Sequence, residues 1–170
     1  MTIRPARPEE AAALTGLCLR SKSHWGYDTG FMQQAATGLT VSEPMIDAGQ
    51  VLVAEGCAGS LLGVAALERL DSAGWFDLAL LFVEPVVIRT GVGRTLFDAA
   101  VRLAAEQGGK HLSILADPFA EAFYRRLGAV RIGEAPSDSI PDRVLPLLEY
   151  AIPDLRFEPS RAAISRGTSR

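Results

Sequence analysis

Two glycines, Gly91 and Gly93, stand two positions apart in the segment VIRTGVGRTLF, residues 87–97. Apolar residues recur at helical spacing after them, which predicts a helix that begins at this turn. Glycine has no Cβ and accepts positive φ, so backbone amides can crowd together at a chain reversal. The first amides of a helix have no intrahelical acceptor and lie at the positive end of its dipole. A phosphate or pyrophosphate is the ligand that such a turn favours.

The same glycines also fit a tight strand-to-helix turn that binds nothing, and two glycines alone are weak evidence for a ligand. No Lys-Ser or Lys-Thr pair follows them, as a nucleotide P-loop requires. No third glycine arrives at the dinucleotide-binding spacing. The rest of the chain has to decide between the two interpretations.

A second unusual segment is SKSHWGYDTGF, residues 21–31, which concentrates His, Trp, Tyr and two glycines. Such a loop is poor core material and good pocket wall. The alternative is that its aromatic rings only cover the core. Ring faces and a carboxylate can receive a cation, so the candidate substrate-binding residues are His24, Trp25, Tyr27 and Asp28.

The elements that position these residues follow from periodicity and turn signals. A helix is predicted from Pro8 to about Arg20 and a short one from about Phe31 to Ala36. Three strands follow as an antiparallel meander, then the glycine turn with its helix, a strand, a helix that ends at Gly128, and two last strands. The predicted strands cover Val51–Glu55, Leu61–Leu70, Phe76–Val83, 111–116, Val130–Ile132 and Val144–Ala151.

The bulk composition is that of one globular domain, with 170 residues, 48% of them hydrophobic and 22% charged. A net charge of −3 gives no general reason to expect nucleic acid or an anionic membrane as a partner. Cys18 and Cys57 match no metal or redox spacing, and no metal is expected. Without a signal peptide or a membrane-length apolar run, we expect a soluble, cytoplasmic protein.

The order of elements and three local motifs resemble the GCN5-related N-acetyltransferase (GNAT) superfamily. The segment FVEPVVIRTGVGRTLF is similar to its acetyl-CoA motif, Q/R-x-x-G-x-G/A, with Ile88 in place of Gln or Arg and Arg89 as a substitute. The segment ADPFAEAFYRRLGAVRIGE, residues 116–134, resembles N-x-x-A-x-x-x-Y-x-x-x-G-F. Ala120, Tyr124 and Gly128 match that pattern, whereas Asp117 replaces Asn and Ala129 replaces Phe. The ending SIPDRVLPLLEY is the third motif, and the resemblance runs from about residue 3 to 152.

The resemblance implies an α/β (α+β) fold in one domain, residues 1–152, with a mixed, mostly antiparallel central sheet flanked by helices. Residues 153–170 are expected to form a flexible tail. It also implies acetyl-CoA as co-substrate, with the pyrophosphate on amides of the glycine turn and the pantetheine arm along the preceding strand. The cofactor-binding residues so implied are Leu81, Phe82, Val83, Arg89, Thr90, Gly91, Val92, Gly93, Arg94, Thr95, Asp117 and Tyr124.

Acyl transfer to an amine needs a base and a proton donor for the departing thiolate. Asp77 lies in the apolar strand FDLALLFV, eleven residues before Ile88, where some family members carry a catalytic glutamate. The alternative for Asp77 is a solvated carboxylate near a strand end, with Glu68 as the reserve base. Tyr124 matches the family tyrosine that protonates the thiolate, and its alternative is a buried ring with a satisfied hydroxyl.

The function expected from these motifs is N-acetyl transfer from acetyl-CoA by direct attack in a ternary complex. The acceptor is a primary amine of a small molecule or peptide, and a homodimer is compatible with the family. A non-catalytic acyl-CoA-binding protein or sensor is the competing interpretation, and an acyl group longer than acetyl stays open.

Overall fold

The structure, a computed structural model, describes residues 1–154 and centres on one seven-stranded sheet. Residues 155–170, most of the expected tail, lie outside this description. The strands are β1 (Thr2–Pro5), β2 (Val51–Glu55), β3 (Leu61–Arg69), β4 (Trp75–Val83), β5 (His111–Leu115), β6 (Val130–Pro136) and β7 (Val144–Ala151). Their order in the sheet is β1-β2-β3-β4-β5-β7-β6.

Helices cover both faces of the sheet. They are α1 (Ala11–Ser23), α2 (Thr29–Ala35), α3 (Glu43–Asp47), α4 (Val92–Glu106) and α5 (Pro118–Leu127). The first three enclose a core with one face of β2, β3 and β4, whereas α4 and α5 enclose a second core on the opposite face. The predicted fold class, a mixed and mostly antiparallel sheet flanked by helices, is confirmed.

One pair of neighbouring strands differs from all the others in this sheet. β4 and β5 run parallel and pair only from Trp75–His111 to Asp77–Ser113, while every other pairing is antiparallel. Beyond Asp77, β4 continues for six more residues without β5 beside it. The sheet therefore forks between these two strands.

A β-bulge in β4 lies directly at the fork. Ala66 of β3 faces Leu80, but Glu68 faces Asp77, so β4 carries one extra residue opposite Leu67. A bulge bends the strand that carries it and reverses the alternation of side chains beyond it. Accordingly Phe76, Leu78, Leu81 and Val83 pack on the α4 side, and Leu80 and Phe82 pack on the α1 side.

Several local elements differ from the sequence prediction, and β6 continues to Pro136, four residues beyond its predicted end. β1 was not predicted, because four residues are too few for a periodic pattern, and α3 is likewise only five residues long. The first helix proper starts at Ala11, because residues 8–10 form a 3-10 turn, and it continues to Ser23. The second helix starts earlier than predicted because the Asp28 carboxylate accepts a hydrogen bond from the Phe31 amide and caps it.

None of the helices within residues 1–154 is long and apolar enough to cross a membrane.

Gly63 of β3 allows α4 to approach the sheet. A Cβ at this position would lie 2.7 Å from Cδ1 of Leu96 and 2.8 Å from the Phe82 carbonyl oxygen. We predict that Gly63→Ala lowers the free energy of unfolding by about 1–3 kcal/mol, because backbone atoms would have to shift. Gly133→Ala in β6 is the matched control, since a Cβ there meets nothing within 4 Å. Urea unfolding of both variants tests this, and equal stability would contradict it.

Candidate active site

The fork between β4 and β5 opens into a cavity of about 430 Å³. β4 and the glycine turn form one side of it, α5 forms another, and the end of α1 closes the third. Residues that line it are Ser21, Lys22, Trp25, Leu81, Phe82, Val83, Ile88, Arg89, Gly91, Gly93, Arg94, Asp117, Phe119, Ala120, Phe123, Tyr124 and Arg126. The structure thus brings the glycine turn and the segment around Tyr124 to one cavity.

The glycine turn presents a group of unpaired backbone amides. Arg89 and Gly91 both have positive φ, 67° and 96°, and Gly91 is the N-cap of α4. Thr90 and Thr95 donate their amides to the carbonyls of Val87 and Gly91, at 3.2 and 3.0 Å. In this turn, the amides of Arg89, Gly91, Val92, Gly93 and Arg94 have no backbone acceptor within residues 1–154. Of the predicted amides from Thr90 to Thr95, the four central ones are therefore available to an anion.

The edge of β4 that faces the fork is a second unpaired feature. Leu81, Phe82 and Val83, which the family resemblance implied as cofactor-binding residues, all line the cavity. No strand in the described part of the chain pairs with this edge beyond Asp77. An extended ligand can therefore lie against the β4 backbone as an added strand would.

Tyr124 of α5 lies on the cavity wall with a hydroxyl that has no partner within residues 1–154. Its ring is only 7% exposed and packs near Phe97 and Phe123, with ring centroids at 6.1 and 5.1 Å. No buried side-chain oxygen in the described residues lacks a hydrogen bond, so the Tyr124 oxygen is reached from the cavity. Burial, with the nearby charges of Asp77 and Asp117, raises the pKa of this phenol above its usual value. The hydroxyl stays protonated at neutral pH and can donate to a group in the cavity.

Asp77 lies at the vertex of the fork, in the last residue pair that joins β4 to β5. Burial raises the pKa of its carboxyl to about 6, and the charges of Glu68 and Asp138 act in the same direction. A hydrogen bond with Ser113, its partner on β5, opposes them. Asp77 does not line the cavity itself. Glu68, the reserve candidate, is its exposed cross-strand neighbour.

Asp117 joins three separate elements through one carboxylate. Its Oδ2 accepts hydrogen bonds from the Lys22 ammonium, from the Tyr27 hydroxyl at 2.9 Å and from Arg143 Nη2 at 3.4 Å. Its Oδ1 accepts from the Phe119 amide at 3.0 Å and caps α5. Burial acts to raise the pKa of Asp117, but the bonds and charge of Lys22 outweigh it and leave the pKa below its usual value.

The loop residues predicted to bind substrate are divided by the structure. Trp25 lines the cavity and stacks on Phe119, with ring centroids 5.2 Å apart and planes at 9°. Tyr27 is engaged with Asp117, Asp28 caps α2, and exposed His24 contacts the edge of Trp25. None of these last three lines the cavity.

Sequence reasoning missed Lys22, Arg126 and Arg143 at this site. Lys22 lies in what was read as loop and is buried at the end of α1. The one available signal was Asp117 in place of the family's Asn, because a buried carboxylate requires a cation.

Within residues 1–154, no cluster of three or more His, Cys, Asp or Glu side chains is arranged to hold a metal.

The sequence matches the family model of the acetyltransferase (GNAT) domain over residues 20–138, which is more than half of the chain. The protein therefore belongs to the GNAT family, and the resemblance inferred from the motifs is confirmed. No curated protein sequence matches the chain.

Solved structures show the same fold at low sequence identity. A GCN5-related N-acetyltransferase from Rhodopseudomonas palustris is similar with a TM-score of 0.70 and 24% identity, over 88% of this chain and 94% of that one. The PaiA N-acetyltransferase of Thermoplasma acidophilum, in complex with coenzyme A, is similar with a TM-score of 0.70 and 17% identity, over 88% of this chain and 98% of that one. YncA from Salmonella typhimurium, with acetyl-CoA, is similar with a TM-score of 0.66 and 21% identity, over 90% of this chain and 94% of that one.

The raised pKa of Asp77 has a consequence for stability. An acid whose pKa is higher in the folded state stabilises the fold while protonated and loses that contribution as pH rises through the folded pKa. The interval from its ordinary value of 3.8 to about 6 corresponds to about 3 kcal/mol. We predict that Asp77→Asn raises the free energy of unfolding by up to this amount at pH 8 and by little at pH 4.

Denaturant unfolding at the two pH values measures this difference. The control is Asp71→Asn, in the exposed turn between β3 and β4, which we expect to behave alike at both pH values. If Asp77→Asn did not raise the free energy of unfolding at pH 8, that result would contradict the burial of a charged carboxylate at the fork.

Proposed function

We propose that this protein transfers an acetyl group from acetyl-CoA to a primary amine of a small molecule or peptide, by direct attack while both substrates are bound. The observation that carries the proposal is the fork, because one cavity joins an unpaired strand edge, a turn of unpaired amides and an accessible tyrosine hydroxyl. Acetyl-CoA supplies the activated thioester in this cavity.

The residues that line the cavity fit acetyl-CoA, the acetyl donor. The amides from Gly91 to Arg94 would hold the pyrophosphate, since they have no other acceptor within the described chain and open a helix. Arg89, Arg94 and Arg126 line the same cavity and add positive charge for phosphates. The pantetheine arm would lie against the free edge of β4, where Leu81 and Val83 provide an apolar surface.

The acceptor amine has to lose a proton before it attacks. An alkylammonium with a pKa of about 10.4 is less than about 0.1% neutral at pH 7, which corresponds to about 4–5 kcal/mol of the barrier. Asp77 is the proposed base, directly or through a water molecule, because it lies at the vertex of the fork. With a pKa of about 6 it is ionised at neutral pH and loses this capacity below about pH 6.

Tyr124 is the proposed donor to the departing thiolate. Its hydroxyl is protonated at neutral pH, has no acceptor within the described chain and is reached from the cavity. A hydrogen bond from this hydroxyl stabilises the negative charge that develops on sulfur and then delivers the proton. The same geometry would serve an acyl group longer than acetyl.

The turn is tested by a pair of glycine substitutions. Gly91→Ala places a side chain at a φ of 96°, which costs about 1–3 kcal/mol and distorts the turn. We predict that affinity for CoA, measured by calorimetry, falls roughly tenfold. Gly108→Ala is the control, because Gly108 has a φ of 84° and lies just beyond the opposite end of α4. If the two variants bound CoA equally well, the pyrophosphate would not bind at the glycine turn.

Tyr124 is tested by removal of one oxygen. We predict that Tyr124→Phe retains CoA affinity while turnover falls roughly tenfold to a thousandfold, the usual range for a proton-transfer group. Tyr150→Phe is the matched control, because Tyr150 packs against the same Phe97 but does not line the cavity. Thiol release from acetyl-CoA with a panel of amines measures turnover. Equal rates for wild type and Tyr124→Phe would remove the acid assignment, and CoA binding without turnover of any amine would favour the sensor interpretation.

A further inference from the structure

Two cations beside the cavity share a single carboxylate oxygen. The Lys22 ammonium and Arg143 Nη2 both contact Oδ2 of Asp117. Arg143 Nη2 also donates to the Tyr27 hydroxyl at 2.9 Å. Lys22 comes from α1 and Arg143 from the segment between β6 and β7, so distant parts of the sequence place both charges here. The group formed by Lys22, Arg143 and Asp117 carries one positive charge in excess.

This excess charge is available to a ligand. Within residues 1–154, Lys22 has one hydrogen-bond partner, and Nη2 is the only nitrogen of the Arg143 guanidinium that has hydrogen-bond partners. Since no buried side-chain nitrogen in the described residues lacks a partner, the unpaired Nε and Nη1 of Arg143 are accessible. Burial lowers the pKa of Lys22 in spite of Asp117, so one carboxylate does not compensate fully for the burial of this ammonium. Lys22 lines the cavity directly.

The aromatic rings near this group are already covered by the protein's own cations. Tyr27 and Phe31 stack with centroids 3.9 Å apart. The Lys22 ammonium lies 5.1 Å from the Tyr27 ring centre, and the Arg143 guanidinium lies 4.7 Å from that of Phe31. A second positive group on the acceptor would meet like charge here, contrary to the cation-binding role expected for Tyr27.

The vertex of the fork carries negative charge instead. Asp77 lies there with Glu68 as its cross-strand neighbour, and no cation of the described residues acts on it. We propose, on the basis of the proposed function, that the acceptor is an amino carboxylate. Its carboxylate binds the Lys22 ammonium, Arg143 adds a second positive charge, and its amine lies toward Asp77. The cavity's other cations, the arginines near the glycine turn, are left for the phosphates of the donor.

The test compares acceptors of equal length that differ only in the group at the far end. Pentylamine, 6-aminohexanoate and 1,5-diaminopentane form one set, and shorter sets from β-alanine and 4-aminobutanoate vary the distance between the two ends. We predict that in at least one set the amino carboxylate has a kcat/KM roughly tenfold or more above the plain amine, as one charge-assisted hydrogen bond allows. The diamine should be the poorest acceptor.

Variants of Lys22 assign the preference to this group. Lys22→Met should abolish the advantage of the carboxylate through KM, without a change in CoA affinity, and Arg143→Gln should reduce it. Lys22→Arg keeps the charge and should keep the preference, which guards against a variant that merely fails to fold. Lys110→Met is the matched control, because Lys110 is the other lysine of the sequence, is exposed and does not line the cavity.

Two results would overturn this inference alone. One is turnover of plain amines or diamines as efficient as that of the amino carboxylates. The other is a Lys22→Met protein that loses CoA affinity and slows with every amine alike, which would place Lys22 in the donor site. Turnover of no amine at all would instead overturn the proposed function, and this inference with it.

Discussion

The separation of β4 from β5 is the constraint on which the site depends. The extra residue at the β4 bulge turns the strand away after three residue pairs, while β5 stays paired with β7 along its whole length. The space that results cannot close, because α4 and α5 pack on the same face of the sheet on either side of it. An unpaired strand edge, normally a liability in a folded protein, is thereby protected inside a cavity.

The ionisable groups around the fork are all partly or fully buried, but their surroundings shift their pKa values in different directions. Asp77 has carboxylates and a serine near it but no cation close enough to lower its pKa, so burial dominates and a proton can be exchanged near neutral pH. Asp117 is surrounded by donors and stays ionised, which suits a structural role. Tyr124 feels both negative charges and keeps its proton. Position along the fork therefore gives the two aspartates, Asp77 and Asp117, different chemistry.

Local signals in the sequence were sufficient for the elements that carry the motifs. Gly91 and Gly128 mark the start of α4 and the end of α5 because each takes the positive φ that side chains disfavour. The bulge could not be predicted, because the strand is apolar at every position from Leu78 to Val83 and so shows no break in alternation. The Lys22–Asp117–Arg143 group was equally hidden. Its members are separated by 95 and 26 residues, and only the fold brings them together.

The fork also divides the chain into two consecutive stretches. Strands β1 to β4 form one continuous half of the sheet and β5 to β7 the other, and three parallel residue pairs join the halves. Short connections join β2 to β3, β3 to β4 and β6 to β7, whereas β1 with β2, β5 with β7 and β4 with β5 close longer loops, the last of them around α4. Because only three residue pairs join the two halves, fewer than join any two strands within a half, we expect the halves to form before they dock. The reaction centre would then be created by the last step of folding, so an incompletely folded chain in the cell would bind no donor and consume no thioester.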